Sequence, residues 1–319
     1  MLIFNGLRIS KVDDDDEAEC GADVVWRGRR TRGVCPDPDA GPWIGLARPE
    51  VGGTGRGTTH VYGHDGRVRC CFRVSPSAAE VDCLATPEVS GRDLLSLFAE
   101  PVMRTILARR GSLSFHAAAL VRDGRALLIA ADKGAGKSTL SWALQRQGWR
   151  LFADDLACVA ELEGRWSVYP GHRQTKLSRQ TAAALGLVGL QSRFDENPED
   201  TAFVVGVEKC VLPIDPAPIA ASAPVAAFLF LAARDPHASS LRSRPAAGHE
   251  TVGLLIKHVT RNPTAHGPGL TPSLQTALGR LAGQAATLVV ALPDSLDLLE
   301  DSAVRIDALV PHLSGAERP

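Results

Sequence analysis

Lys137 and Ser138 follow the turn Asp132-Lys133-Gly134-Ala135-Gly136 and precede Thr139. Behind the turn lies the apolar run Ala126-Leu127-Leu128-Ile129-Ala130, and ahead of it Leu140-Ser141-Trp142-Ala143-Leu144. A buried strand, a glycine turn and a helix start, in that order, form the layout of a phosphate-binding loop. Glycines let backbone N–H groups wrap inward, and the helix start adds the positive end of its dipole. Lys137 is placed to reach the β- and γ-phosphates, and Ser138 to offer its hydroxyl to Mg²⁺. The pattern G-x-x-x-x-G-K-[ST] asks for glycine at position 131, where this chain has Ala131.

Two further groups of residues could complete a phosphoryl-transfer site. Trp149-Arg150-Leu151-Phe152-Ala153 reads as a strand whose carboxyl end carries Asp154 and Asp155. Ligands of α/β sheets sit at such strand ends. One carboxylate there can hold a metal and the other can take the proton of an attacking hydroxyl. The competing reading, a helix cap, is weaker because the strand-like Ala157-Cys158-Val159-Ala160 comes next. Beyond it, Arg173 and Lys176 supply cations that could neutralise charge on the transferred group or could simply be solvated in a loop. His116 lies within a strand read over Leu113 to Val121, just before the loop strand.

The elements that must position these residues follow from pattern. The loop helix is expected from Ser138 to Gln147, with Gly148 as its stop. Trp166 to Tyr169 pairs back on the strand before it, and a helix runs on through Leu185. Residues 189 to 206 read as a polar surface loop. Lys209 to Pro213 is a short strand. Pro224 to Ala232 is apolar without alternation, as a strand buried on both faces requires. Arg234 to Glu250 reads as loop. Helices are expected over Thr251 to Val259 and Pro272 to Ala286, then a strand over Thr287 to Leu292 and a helix over Leu296 to Leu313. Upstream, short strands fill the first ninety residues or so. Among them, Thr59 to Val74 forms a hairpin around Asp65-Gly66. His60 and His64 fall on that hairpin and read as exposed polar residues rather than a ligand pair. Ser90 to Arg110 is a helix that Pro101 kinks or divides.

Composition bounds the rest. With 319 residues, 45% hydrophobic and 22% charged, the chain can hold two domains. A formal net charge of −1 argues against a nucleic-acid partner. No apolar run reaches the ~18 residues of a membrane span. The 7 cysteines form no C-x-x-C pair and read mostly as free thiols, which with the polar N-terminal stretch points to the cytoplasm.

Phe115-His116-Ala117, Asp132 to Thr139 and Ala153-Asp154-Asp155 together resemble the HPr kinase/phosphorylase family. The likeness is greatest to the shorter HPr-kinase-like proteins of modified-peptide clusters, including lasso peptide kinases. Tyr169-Pro170-Gly171-His172-Arg173-Gln174-Thr175-Lys176-Leu177 is similar to that subfamily's Pro-Gly-x-x-x-x-Lys-Leu stretch. Lys209, Leu212-Pro213 and Lys257-His258 stand where it has comparable residues. The resemblance covers roughly residues 112 to 310.

It implies an α/β fold, namely a P-loop mixed sheet of the HPr kinase/PEP carboxykinase kind with flanking helices. Read from the residues instead, the helix stop at Gly111 sets a small N-terminal α+β domain over 1–111, a substrate or partner module, before a kinase domain over 112–319. The resemblance also implies ATP with Mg²⁺, transfer to a serine hydroxyl of a peptide or protein, and a homo-oligomer. Asp132, Lys133, Gly134, Ala135, Gly136, Lys137, Ser138 and Thr139 would bind nucleotide. Asp154 would act as base, Ser138 and Asp155 would hold the metal, and His116, Lys137, Arg173 and Lys176 would assist transfer. The chain has no counterpart of the Glu-containing Val-Arg-Gly signature of bacterial HPr kinases. A ribosomally made precursor peptide or a small-molecule hydroxyl therefore fits better than HPr. Nucleotide binding without transfer is the alternative that Ala131 and the missing glutamate suggest.

Overall fold

A computed structural model of the chain describes residues 2–4, 7–13, 24–30, 46–49, 58–64, 67–171, 173, 175–187, 209–212, 220–260 and 271–313. The chain divides into two compact units, the first reaching Ser112 and the second beginning at Leu113.

Among the described residues the first unit has a seven-stranded sheet. Its strands are β1 (Leu2–Phe4), β2 (Leu7–Asp13), β3 (Val24–Arg30), β4 (Leu46–Pro49), β5 (Thr58–His64), β6 (Arg67–Val74) and β7 (Glu80–Ala85), in the order β1-β2-β3-β7-β6-β5-β4. Alternation along β6 and β7 buries Cys70, Phe72, Val74, Val81, Cys83 and Ala85 on one face. The segment expected as one helix is α1 (Gly91–Leu97), a π-helical turn (Phe98–Val102) and α2 (Met103–Arg109). Pro101 lies in the π turn. Proline has no N–H and crowds the carbonyl four residues back, so a widened turn accommodates it. Ser90 caps α1 by accepting from the Asp93 N–H at 3.1 Å.

His60 is 2% exposed, which corrects the expectation of an exposed hairpin residue. Its Nε2 meets the Thr105 hydroxyl at 2.8 Å. No cluster of three or more His, Cys, Asp or Glu side chains disposed to bind a metal occurs among the described residues. Cys70, Cys83 and Cys158 are buried free thiols, and Cys71 is disulfide-bonded.

The second unit is built on a curled mixed sheet. Its strands are β8 (Leu113–Phe115), β9 (Ala117–Arg122), β10 (Arg125–Ala131), β11 (Arg150–Ala153), β12 (Ala157–Leu162), β13 (Arg165–Tyr169), β16 (Ala223–Leu231), β17 (Arg242–Pro245) and β18 (Ala286–Ala291). A separate pair joins β14 (Thr175–Ser178) to β15 (Lys209–Leu212). β10 and β18 both run parallel to β16, and β9 lies antiparallel between β10 and β11. The first two residues of β16 pair with β13, which continues through β12 to β8.

β8 and β9 are thus consecutive in sequence but pair with different limbs of the sheet. The single strand expected over Leu113 to Val121 is broken at His116, whose N–H donates to the His258 carbonyl instead of a strand ladder. The stretch 234–250, expected as loop, contains β17. Arg244 and its neighbours pair with β18 there, an edge position that suits an Arg- and Pro-rich strand.

The helices are α3 (Lys137–Arg146), α4 (Arg179–Ala184), α5 (His249–His258), α6 (Pro272–Gln284) and α7 (Leu299–Leu313), the last preceded by a 3-10 turn (Leu296–Leu298). On one side of β16, Ala227, Leu229 and Leu231 join Leu127, Ile129, Leu140, Leu144, Val290 and Ile306 in a core shared with α3 and α7. On the other side, Phe228 packs against Phe115 at 5.2 Å and stacks near Phe230. Burial on both faces accounts for the uninterrupted apolar run in β16. Among the described residues, no helix is long and apolar enough to cross a membrane. The stretch 189–206, His172, Gln174 and the Pro216–Pro218 linker lie outside the described residues.

Candidate phosphoryl-transfer site

The loop between β10 and α3 sets the frame. Ala131 is the last residue of β10 and pairs with Leu231 in extended conformation. That backbone places no demand for glycine, so the departure at this position costs the loop nothing. Gly134 and Gly136 have φ of +88° and +104°, which side-chain-bearing residues rarely adopt. Gly136 is the N-cap of α3, and no side chain caps the helix there. The first N–H groups of α3 therefore have neither an intrahelical acceptor nor a side-chain one, and they offer an anion site.

A cleft of about 690 Å³ opens over this loop. Asp132, Lys133, Gly134, Gly136, Lys137, Ser138 and Thr139 line it, together with His116, Asp155 and Lys176. Ala135 turns away and packs against the core. Asp154 does not line the cleft and is 8% exposed. Arg173 is also absent from the lining, and its Nε donates to the Leu151 carbonyl at 2.8 Å. The structure thus brings together nearly all of the residues singled out by sequence and ties Arg173 to the backbone of β11.

Charge is concentrated where the loop faces the end of β11. Lys137 Nζ stands 2.6 Å from Asp155 Oδ1 and 3.6 Å from Asp154 Oδ1. The latter oxygen is buried and accepts no hydrogen bond. Burial, the largest influence on Asp154, pushes its carboxyl up to about 6, with Lys137 opposing and Asp155 reinforcing. Burial also works against ionisation of Asp155. There the Lys137 ammonium outweighs it, through charge and hydrogen bond, and holds the carboxyl down at about 2. Lys137 itself is disfavoured as a cation by burial, yet the two carboxylates keep it above its ordinary value. Environment thus splits two adjacent carboxyls, the pattern by which acid–base roles are divided.

Asp155 has φ +61°, a left-handed conformation that Asp tolerates better than most residues. His116 Nδ1 lies 3.1 Å from the Asp155 carbonyl. A carbonyl can only accept, so Nδ1 carries the proton in this contact. The strand break at His116 is what lets the ring reach this turn. α5 braces the same place, with Thr260 N–H donating to Ser114 at 2.6 Å and Lys257 Nζ donating to Asp132 Oδ2 at 2.6 Å.

A Mg²⁺ ion prefers oxygen donors and keeps several waters and phosphate oxygens. The ionised Asp155 carboxylate and the Ser138 hydroxyl, both on the cleft, fit that preference.

Sequence reading missed the far walls of the cleft. Gln180, Thr181 and Ala184 of α4 form one, and Arg234, Leu292, Pro293, Ser295, Leu296 and Leu299 the other. Arg234 and Pro293 follow the carboxyl ends of β16 and β18, both running parallel to the loop strand. The rule that ligands gather at parallel strand ends was the available signal.

No family model matches the chain, and no curated protein does. Among solved structures, the chain is similar to the HPr(Ser) kinase/phosphatase from Coxiella burnetii. The identity is 15%, the match spans 62% of this chain and 98% of the other, and the TM-score is 0.32. At that score the likeness bears no weight, and the reading of the site stands on its own residues.

Proposed function

We propose that the chain is an ATP- and Mg²⁺-dependent kinase that transfers the γ-phosphoryl group to a serine hydroxyl of a peptide or protein. A ribosomally made precursor of the lasso type is the acceptor that the sequence resemblance favours. The observation that carries the reading is the pair Asp154 and Asp155, set against Lys137 at the mouth of an uncapped helix start. The loop amides and Lys137 bind the phosphates. Asp155, ionised and on the cleft, with Ser138, holds Mg²⁺, which when bound offsets phosphate charge. Asp154, whose carboxyl is pushed up to about 6 by burial, takes the proton of the acceptor hydroxyl. Its low exposure makes that approach narrow. Lys176 and His116 stabilise charge on the moving group. Arg173 holds β11, and with it the aspartate pair.

The test is incubation with γ-labelled ATP and candidate precursor peptides, with Lys137→Ala and Asp154→Asn alongside. Label is expected on the peptide with the wild-type chain and lost with both variants. Equal labelling in all three would sink the mechanism. Tight ATP binding with no acceptor labelled would favour a nucleotide-binding protein without transfer.

A further inference from the structure

β14 brings Lys176 to the cleft, yet among the described residues it ladders only with β15, in a pair separate from the main sheet. Along β14, Thr175 and Leu177 are buried, while Lys176 between them lines the cleft. Where Lys176 stands relative to the phosphate loop is therefore set by side-chain contacts rather than by a ladder with the main sheet.

Those contacts run to α3, the helix whose start is the phosphate cradle. Leu177, Ala182 and Leu212 form a small core of their own, and Trp142 and Leu185 pack against both it and the main core. Gln145, about two turns beyond Lys137 on α3, supplies a directional contact. Its Nε2 donates to the Ser141 carbonyl at 3.2 Å and to the Thr175 hydroxyl at 3.0 Å. A carbonyl can only accept, so the first bond fixes which way the amide faces. Thr175 is 3% exposed, and its hydroxyl donates back to Gln145 Oε1 at 3.4 Å. Arg173 ties the preceding stretch to β11, whereas the Gln145–Thr175 contact joins β14 itself to α3.

Resting on the phosphoryl-transfer reading above, we propose that Gln145 is a positioning residue, which through the Thr175 hydroxyl holds β14 so that Lys176 meets the γ-phosphoryl group. One helix then sets both ends of the arrangement. Its start binds the phosphates, and its last turn fixes the strand that carries the facing cation. Apolar packing is non-directional and by itself lets β14 slide along α3. The hydrogen bond does not, because breaking it leaves the buried Thr175 hydroxyl unpaired.

The experiment is calorimetric titration of the full chain with ADP and with the non-hydrolysable imido analogue of ATP, each with Mg²⁺. The variants are Gln145→Leu, Thr175→Val, Thr175→Ser, Lys176→Ala, and Thr175→Val combined with Lys176→Ala. ADP reports the loop, and the analogue adds the γ-phosphate. Lys176→Ala should lower affinity for the analogue ~10-fold, with ADP unmoved. Gln145→Leu and Thr175→Val should do the same, while Thr175→Ser keeps the hydroxyl and should stay within ~2-fold of wild type. In the combined variant, Thr175→Val should add nothing to Lys176→Ala, because the contact acts through that lysine. Wild-type affinity for the analogue in Gln145→Leu and Thr175→Val would overturn the positioning role, as would wild-type affinity in Lys176→Ala. So would an equal loss in Thr175→Ser, a loss of ADP binding in Thr175→Val, or a further ~10-fold loss in the combined variant, each of which marks a merely structural contact. All of these outcomes leave the loop reading intact as long as the wild type binds ADP. Failure of the wild type to bind either nucleotide would overturn the loop reading, and the positioning role with it.

Discussion

Two groups of titratable residues, one in each unit, show how differently proteins keep such groups. His60 lies between β5 neighbours and α2, with its ring parallel to Tyr62 at 6.5 Å and its Nε2 on the Thr105 hydroxyl. Burial holds its pKa down at about 4, so it is neutral and its polar contact is met by a neutral partner. Lys137, Asp154 and Asp155 form a charged cluster in which Asp154 is buried and the other two are partly buried on the cleft. They share one ammonium between two carboxyls, and one carboxyl oxygen is left without a hydrogen bond. A satisfied neutral pair stabilises a fold and invites nothing further. An unevenly shared charge cluster beside uncapped helix amides is incomplete until something binds.

The largest test of that contrast is Lys137→Ala. Removing the central charge should lower peptide labelling ~10³-fold, equivalent to about 4 kcal/mol of transition-state stabilisation, as read in single-turnover assays. Replacing His60 should leave labelling unchanged and alter only stability.

The stability effect follows from the pKa shift. Above pH 6.5, His60 is neutral in both folded and unfolded chains. Between 6.5 and about 4 the unfolded chain takes up a proton that the folded one excludes, so stability falls with falling pH. The full loss approaches about 3 kcal/mol at pH 4. Hydrogen exchange of β6 peptides across this range should show the slope in wild type and lose it in His60→Gln. An unchanged slope in the variant would assign the effect to another group.

Smaller effects sharpen the picture around the loop. Gly136→Ala forces a side chain into φ +104° and should cost about 1–2 kcal/mol, with weaker pyrophosphate binding. Ala131→Gly should bring no gain in nucleotide affinity, because the backbone there is already extended, and it should cost about 0.5–1 kcal/mol of stability. Lys257→Met removes an exposed ion pair with Asp132 and should change stability by less than about 1 kcal/mol in denaturant titrations.

Much of the site was legible because its parts are local. Strand, glycine turn and helix between 126 and 144 are a contiguous pattern, and so is the apolar strand ending in Asp154-Asp155. β16 announced itself by an apolar run that only two-sided burial explains. The misreadings share a cause, since each depended on partners distant in sequence. Leu113–Val121 is continuous in pattern, yet its two halves pair with different limbs of a curled sheet. Arg242–Pro245 has loop composition, yet β18 offers it an edge. His60 has the look of a turn residue, yet Thr105 waits for it in α2.

The sequence by itself determined the phosphate cradle, since positive-φ glycines and an uncapped helix start are properties of a few consecutive residues. It also put two carboxyls at one strand end. Only the tertiary structure decided that these carboxyls differ. The pKa of each depends on burial and on its distance from Lys137, and those are set by how β11 packs beside β9 and the loop. The same holds for Arg173, which sequence placed among the reacting cations and the fold ties to the backbone of Leu151. Residue type is local, but electrostatic environment is a sum over neighbours that only folding brings together.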